Sequence, residues 1–298
     1  MQITKPLNIN SNKLCGCTEE AISCQNRTEF VKSQLAEWQV YYEGRDIRDR
    51  AVHPCPFPIA LCKLVLSTFS HTGELVVDTF GGIGSTLVAA ADLQRNAVSF
   101  DLQKKYTDIA RSRLSSPDVF ATSEQVAIND DCRNAHEYFK DKSIKLIWTS
   151  PPYADMLNRV KKNLGFRSRD GVECGRVQQY SQDERDVGTL GVGEFVDILA
   201  NEIYSPLHSK LRDDGHLVIN ISDLRDEETS RRTRLPFKLC EALEKVGYYH
   251  ANTIIWCKRN LLHNVGVFGF PSKFITMGAF EYILHFEKDL KNVTGWMK

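Results

Sequence analysis

No stretch of the 298-residue sequence approaches the ~20 consecutive apolar residues that a bilayer-spanning helix needs, so no membrane span is expected. The N-terminal MQITKPLNINSNK is polar and lacks the apolar stretch of a secretory signal, which makes the cytosol the expected compartment. Neither sign of charge is in excess: 38 Lys plus Arg balance 38 Asp plus Glu. That balance decides nothing about nucleic acid, because one local basic face is enough to bind it. Low-complexity arrays and internal repeats are missing. At 42% hydrophobic and 26% charged residues, the composition excludes a mostly disordered chain. The nine cysteines form no disulfide framework, being odd in number and scattered, so reduced thiols are expected. Cys15, Cys17 and Cys24 cluster, but C-x-C-x6-C is not a standard zinc spacing and no close second pair completes four ligands. No metal site is expected.

What is present is a strand–helix alternation. Residues 1–50 read as an N-terminal extension, loosely structured to residue 27, with a helix predicted across EFVKSQLAEWQVYY and a charged turn at GRDIRDR. Residues 51–290 read as one α/β domain. Prolines 54, 56 and 58 exclude a helix there, and IALCKLVLSTFS then reads as a buried helix. LVVDTF, NAVSFD, EQVAIND and IKLIWTS read as four strands separated by helical spacings. Residues 157–193 break the rhythm. A helix (EFVDILANEIYSPLHSKL), a strand (GHLVINISD) and another helix (LPFKLCEALEKVG) follow, then TIIWCK and YILHFEK as strands joined without a long helix. The pattern predicts a mostly parallel sheet covered on both faces, with an antiparallel pair at one edge. Ligands of such sheets lie beyond the carboxyl ends of the strands.

The chemistry-bearing motifs fall at those ends. Asp78, Phe80, Gly82, Gly84, Ser85 and Thr86 form a loop between a strand and a helix, where glycines allow a tight turn and close approach of a ligand. Asp101 ends the next strand, at the distance from which a carboxylate accepts a ribose diol. Position 87 is Leu, so the loop is not the dinucleotide G-x-G-x-x-G, and Asp78 is badly placed to face a pyrophosphate. A carboxylate suits a ligand with a cationic amino acid moiety, as in S-adenosylmethionine. Asp131 after the third strand fits either an adenine amino group or a helix N-cap. Ser150, Pro151, Pro152 and Tyr153 make a stiff turn whose prolines remove two N–H donors and leave acceptors. Such a turn suits an amino group held against a methyl donor, with Tyr153 stacked on a base drawn out of its duplex.

HPCPFPIAL (53–61), DTFGGIGST (78–86), Asp101 and TSPPY (149–153) together resemble the motifs of the amino-methylating DNA methyltransferases, which act on cytosine N4 or adenine N6. The match is clear over about 53–160 and weak to 285. Family loops commonly read D-P-F-x-G-S-G-T-T; Thr79, Ile83 and Ser85 depart from it. The resemblance implies a Rossmann-like, seven-stranded methyltransferase sheet with its last strand antiparallel, S-adenosylmethionine as cofactor, and Phe57 near it, with His53 and Pro54 in the same motif. Serine before the proline pair is the form typical of N4-cytosine enzymes, whereas adenine enzymes more often carry Asp or Asn. The expected substrate is therefore cytosine in double-stranded DNA. Adenine N6, RNA and a non-catalytic binding module are the alternatives, and a cognate restriction endonuclease is left open. Arg159, Lys161, Lys162, Arg167 and Arg169 follow the catalytic turn inside the candidate recognition insert 157–193. Arg231, Arg232 and Arg234, and then Lys258 with Arg259, are further basic groups; any one of these is also readable as a solvated surface charge.

Overall fold

A computed structural model describes residues 4–49, 52–53, 56–114, 122–154, 183–226, 229, 231–258 and 280–288. Asn26 opens helix α1 (Arg27–Ser33) with a capping box, accepting from the Thr28 and Glu29 N–H groups while Glu29 accepts from its own. The helix stops at Ser33 instead of running on to Tyr42. Glu37–Gln39 forms strand β1, because Trp38 alternates inward between two exposed neighbours and its indole donates to the Ser33 carbonyl at 3.1 Å. Sheet pairing overrides the helical spacing here. The predicted charged turn is a short helix, α2 (Gly44–Asp49), whose buried Asp46 accepts from the N–H groups of Glu43 and Ile59. That carboxylate ties α2 to the start of α3 (Ile59–Phe69).

The predicted alternation follows in order. It runs β2 (Leu75–Asp78), α4 (Ser85–Asp92), β3 (Asn96–Asp101), α5 (Lys104–Arg113), β4 (Gln125–Asn129) and β5 (Ile144–Thr149). The segment between β4 and β5 is a 3-10 turn, Cys132–Tyr138, rather than an α-helix. A long helical element comprises α6 (Val192–Ile198), a π turn (Leu199–Tyr204) and α7 (Ser205–His208). Pro206 lacks an N–H, which removes one i→i−4 bond and accounts for the widened turn before it. Strand β6 (Leu211–Ile221), α8 (Leu235–Lys245), β7 (Tyr248–Cys257) and β8 (Phe280–Lys288) complete the described elements.

The sheet order is β1-β7-β8-β6-β5-β2-β3-β4, parallel throughout except for β8, which is antiparallel to both β6 and β7. The expected antiparallel pair is β7–β8. It sits inside the rim, since β1 adds the outer edge by pairing parallel to β7. Without β1, this is the seven-stranded order of the Rossmann-like methyltransferase fold. Alternate residues along the strands serve two cores. Val76, Leu146, Trp148 and Val218 pack with α3 and α4 on one face. Val77, Ile147, Leu217 and Ile219 pack with α6 and α8 on the other.

Strand order reverses between β2 and its neighbours β3 and β5, which opens a crevice at their carboxyl ends. The loop from β2 to α4 crosses that crevice. Gly84 there has φ +81°, and a Cβ would come within 2.8 Å of the Ala110 Cβ on α5. Bare Cα and left-handed backbone are thus both required where α4 meets α5. Gly84→Ala is expected to destabilise the fold by about 1–3 kcal/mol, read by chemical denaturation.

Candidate active site

The strand ends open into one cavity of about 360 Å³, within the size range of small-molecule sites. His53, Phe57, Asp78, Phe80, Gly82, Ser85, Thr86, Asp101 and Asp131 line it, as do Ser150, Pro151, Pro152 and Tyr153. The structure therefore brings the glycine loop, the strand-end acids and the proline turn to one place. Gly84, expected at the cofactor, abuts Ala110 on α5 and is not among the cavity-lining residues. Pro54, Arg159, Lys161, Lys162, Arg167 and Arg169 lie outside the described residues. Arg231 is exposed, its carbonyl accepting from the Asp226 N–H at 2.8 Å, and Arg232 is turned back to donate to the Asp223 carbonyl at 2.9 Å. Neither lines the cavity.

Two carboxylates pin the loop. Asp78 accepts from the Phe80 N–H at 3.1 Å and from the Thr86 hydroxyl at 2.6 Å. Burial pushes its carboxyl above the usual range, so a cation entering the cavity would favour the charged form. Asp101 accepts from the N–H groups of Gly82 at 2.9 Å and Gln103 at 2.7 Å. Burial pushes it up to about 6 against the pull of those N–H groups. A carboxylate has about four acceptor positions, so two remain for a diol. Gly82 adopts φ +49°, and a Cβ on it would approach His53 Nε2 to 3.0 Å. The His53 ring stands edge-on to Tyr106 at 4.6 Å, and burial lowers its pKa to about 4, keeping it neutral. Phe57 stacks on Trp148 with centroids 5.1 Å apart, which sets an aromatic wall.

Asp131 caps the 3-10 turn, accepting from the Arg133 N–H at 2.9 Å and pairing with its guanidinium at 2.9 Å. Of the two readings open in the sequence, its bonds satisfy the cap, while its side chain still borders the cavity. Ser85 is buried, and its hydroxyl has no hydrogen-bond partner among the described residues. Such an orphan on a cavity wall fits a polar ligand atom. The site's residues thus fit S-adenosylmethionine: acids for a cation and a diol, an aromatic wall, and an unmet hydroxyl.

The proline turn is wired to residues that the sequence reading missed. Ser150 Oγ lies 3.2 Å from the Tyr153 hydroxyl, which donates to Glu281 Oε2 at 2.9 Å. Asn220 Nδ2 donates to the same hydroxyl at 2.8 Å and to Glu281 at 2.5 Å. Lys258, read from sequence as part of a basic group, pairs instead with Glu281 and sits over the Trp256 ring at 4.4 Å. Asn220 and Glu281 carried one signal, being polar residues inside otherwise apolar strands (LVINIS and EYILHF). On the far side, Gly188 in the 3-10 turn Val187–Thr189 abuts Pro152, where a Cβ would reach 3.0 Å from the ring.

Residues 18–112 match the model of the N6/N4 methyltransferase family, described as DNA methylase. The chain is 32% identical over 79 residues to the type II methyltransferase M.HpaI of Haemophilus parainfluenzae, covering 26% of this chain and 25% of that protein. It is 31% identical over 106 residues to the type II methyltransferase M.MthZI of Methanothermobacter thermautotrophicus, covering 33% and 30%. These matches span about a third or less of the relatives' own length. Among solved structures, TrmN from Thermus thermophilus aligns with a TM-score of 0.49 at 15% identity, covering 80% of this chain and 52% of that one. Over residues 18–112 the chain is thus similar to the amino-methylating DNA methyltransferases.

Asp101 sets a pH dependence with a definite sign. Its carboxyl is neutral below about pH 6 and charged above it, and the charged form is the better diol acceptor. Affinity for S-adenosylmethionine is expected to weaken about tenfold between about pH 7 and about pH 5, by calorimetry, and Asp101→Asn should flatten that profile.

Proposed function

We propose that this chain transfers a methyl group to the exocyclic N4 amine of a cytosine flipped out of double-stranded DNA, within a specific sequence. The observation that carries the reading is the Ser150–Tyr153–Glu281 hydrogen-bond chain on the wall shared with the glycine loop and Asp101. S-adenosylmethionine, when bound, supplies a methyl group on a positively charged sulfur.

An exocyclic base amine is a poor nucleophile because its lone pair is conjugated into the ring. Accepting its hydrogens draws the nitrogen toward a pyramidal form with a free lone pair. The Tyr153 hydroxyl donates to Glu281 and accepts from Asn220, so it is left to accept from Ser150 as well. The Ser150 hydrogen is then committed to Tyr153, and its oxygen, 3.5 Å from Asn220 Nδ2, keeps a lone pair to accept from the amine. The Pro151 carbonyl supplies a second acceptor, because prolines leave no competing N–H in the turn. Positioning and polarisation carry the step with no covalent enzyme intermediate, and the nitrogen that gains the methyl group sheds one hydrogen as a proton to water. Cys132 borders the cavity, but burial pushes its thiol far up, which keeps it protonated and poorly nucleophilic. Serine ahead of the proline pair supports cytosine over adenine. The basic residues Arg159, Lys161, Lys162 and Arg167, directly after the turn in sequence, are proposed to hold phosphates around the flipped base.

Incubation with labelled S-adenosylmethionine and mixed-sequence duplex DNA, followed by nucleoside mass analysis, tests the reading. N4-methylcytosine is the expected product, whereas N6-methyladenine would overturn the choice of base. Ser150→Ala is expected to lower kcat about 10²–10³-fold, the usual cost of one preorganised partner. Glu281→Gln should lower kcat with little change in the KM for S-adenosylmethionine, because it acts through Tyr153. Charge reversal at Arg159 and Lys162 together should weaken DNA binding and flatten its salt dependence; unchanged binding would remove those residues from the interface.

A further inference from the structure

The N-terminal lead-in holds a cluster that the methyl-transfer chemistry does not use. The side chains of Cys15, Cys17, Cys24 and His71 bring one ligand atom each to within 4.8 Å of one another. Cys15 Sγ lies 3.3 Å and Cys24 Sγ 3.4 Å from His71 Nδ1. A tetrahedral zinc ion with ordinary Zn–S and Zn–N bonds separates sulfur from nitrogen by about 3.5 Å and sulfur from sulfur by about 3.8 Å. The cluster is therefore at ligand spacing, while its cysteines are free thiols.

A second observation concerns the histidine. His71 Nε2 lies 2.7 Å from the Ala21 carbonyl, which accepts only, so in the neutral imidazole Nε2 carries the proton and Nδ1 turns its lone pair to the sulfurs. An outer carbonyl that fixes the tautomer of a ligating imidazole is the usual second layer of a metal site. The Thr72 N–H points at Cys24 Sγ at 3.5 Å, as a donor does toward a thiolate. The His71 N–H is held by Glu74 at 2.7 Å, which fixes the backbone that carries the ring.

We propose that Cys15, Cys17, Cys24 and His71 bind one Zn²⁺ in a closed, structural site. Four protein ligands leave no open position for a reacting molecule, which separates this site from metal catalysis. His71 lies between α3 and β2, at the amino end of the strand whose carboxyl end carries Asp78, so the metal sits across the sheet from the cavity. Residues 7–25 are ordered around it without helix or strand. They are tied down by a Leu14 N–H bond to the Thr72 carbonyl at 2.8 Å and an Asn96 amide bond to the Asn10 carbonyl at 2.8 Å. Fixing that much irregular chain is entropically costly, and a metal cross-link to the core offsets the cost. The sequence spacing hid the site because the fourth ligand lies 47 residues beyond Cys24.

Metal analysis of the full-length chain, expressed with added zinc and purified without chelator, tests this. One zinc per chain is expected, and removing it with a strong chelator should lower the melting temperature. Cys24→Ser and His71→Gln should each lose zinc affinity at least about tenfold, while Cys240→Ser keeps it. Should those variants fail to fold, cobalt exchange into the unaltered chain keeps the proposal testable. Strong visible bands of tetrahedral cobalt with sulfur-to-metal charge transfer support it. Less than about a tenth of an equivalent of zinc together with absent cobalt bands would overturn it. So would a disulfide between two of Cys15, Cys17 and Cys24, located by peptide mapping of the chain as purified.

Discussion

The glycine loop is held down by two carboxylates that repel each other. Asp78 and Asp101 end neighbouring strands, and each accepts a backbone N–H from the same short segment, Phe80 and Gly82. Asp78 is buried and Asp101 partly so, and the charge of Asp78 adds to the cost of ionising Asp101. Such an arrangement is stable only because the N–H groups and the Thr86 hydroxyl offset the desolvation. It leaves a concentration of negative potential that a cationic ligand relieves. The loop path, the Gly84 contact with α5 and the position of His53 all follow from where those two strand ends lie.

The proline turn depends on a different part of the chain. Ser150 and Tyr153 follow β5, while Asn220 comes from β6 and Glu281 from β8. The antiparallel insertion of β8 between β6 and β7 is what brings Glu281 beside Tyr153. A sheet continued only by parallel crossovers would put a different residue there. The Lys258 partner keeps the Glu281 charge compensated inside the wall. This pairing explains why a lysine near the end of β7 faces inward when its sequence neighbours suggest a surface basic group.

The two ends of the sheet divide the work. Chemistry collects at the carboxyl ends, where strand termini expose acids and loops can vary. The cysteine–histidine cluster collects at the amino end, where the lead-in crosses the loop between α3 and β2. A cross-link there stabilises the start of β2 without touching the cavity at its other end.

Much of this was legible in the residues. Strand–helix alternation, the acids at Asp78 and Asp101, the glycine loop and the Ser-Pro-Pro-Tyr turn are local patterns, since period, turn chemistry and strand ends are set by neighbours in sequence. Local patterns also misled. Residues near Trp38 have helical spacing yet form β1, because an unpaired sheet edge outweighs a marginal helix. What only the tertiary structure decided is every partnership across sequence distance: Glu281 with Tyr153, Gly84 with Ala110, Lys258 with Glu281, and His71 with three cysteines. The sheet order makes these neighbours, and hydrogen bonds and metal-ligand spacing act over a few ångströms of space whatever the separation along the chain.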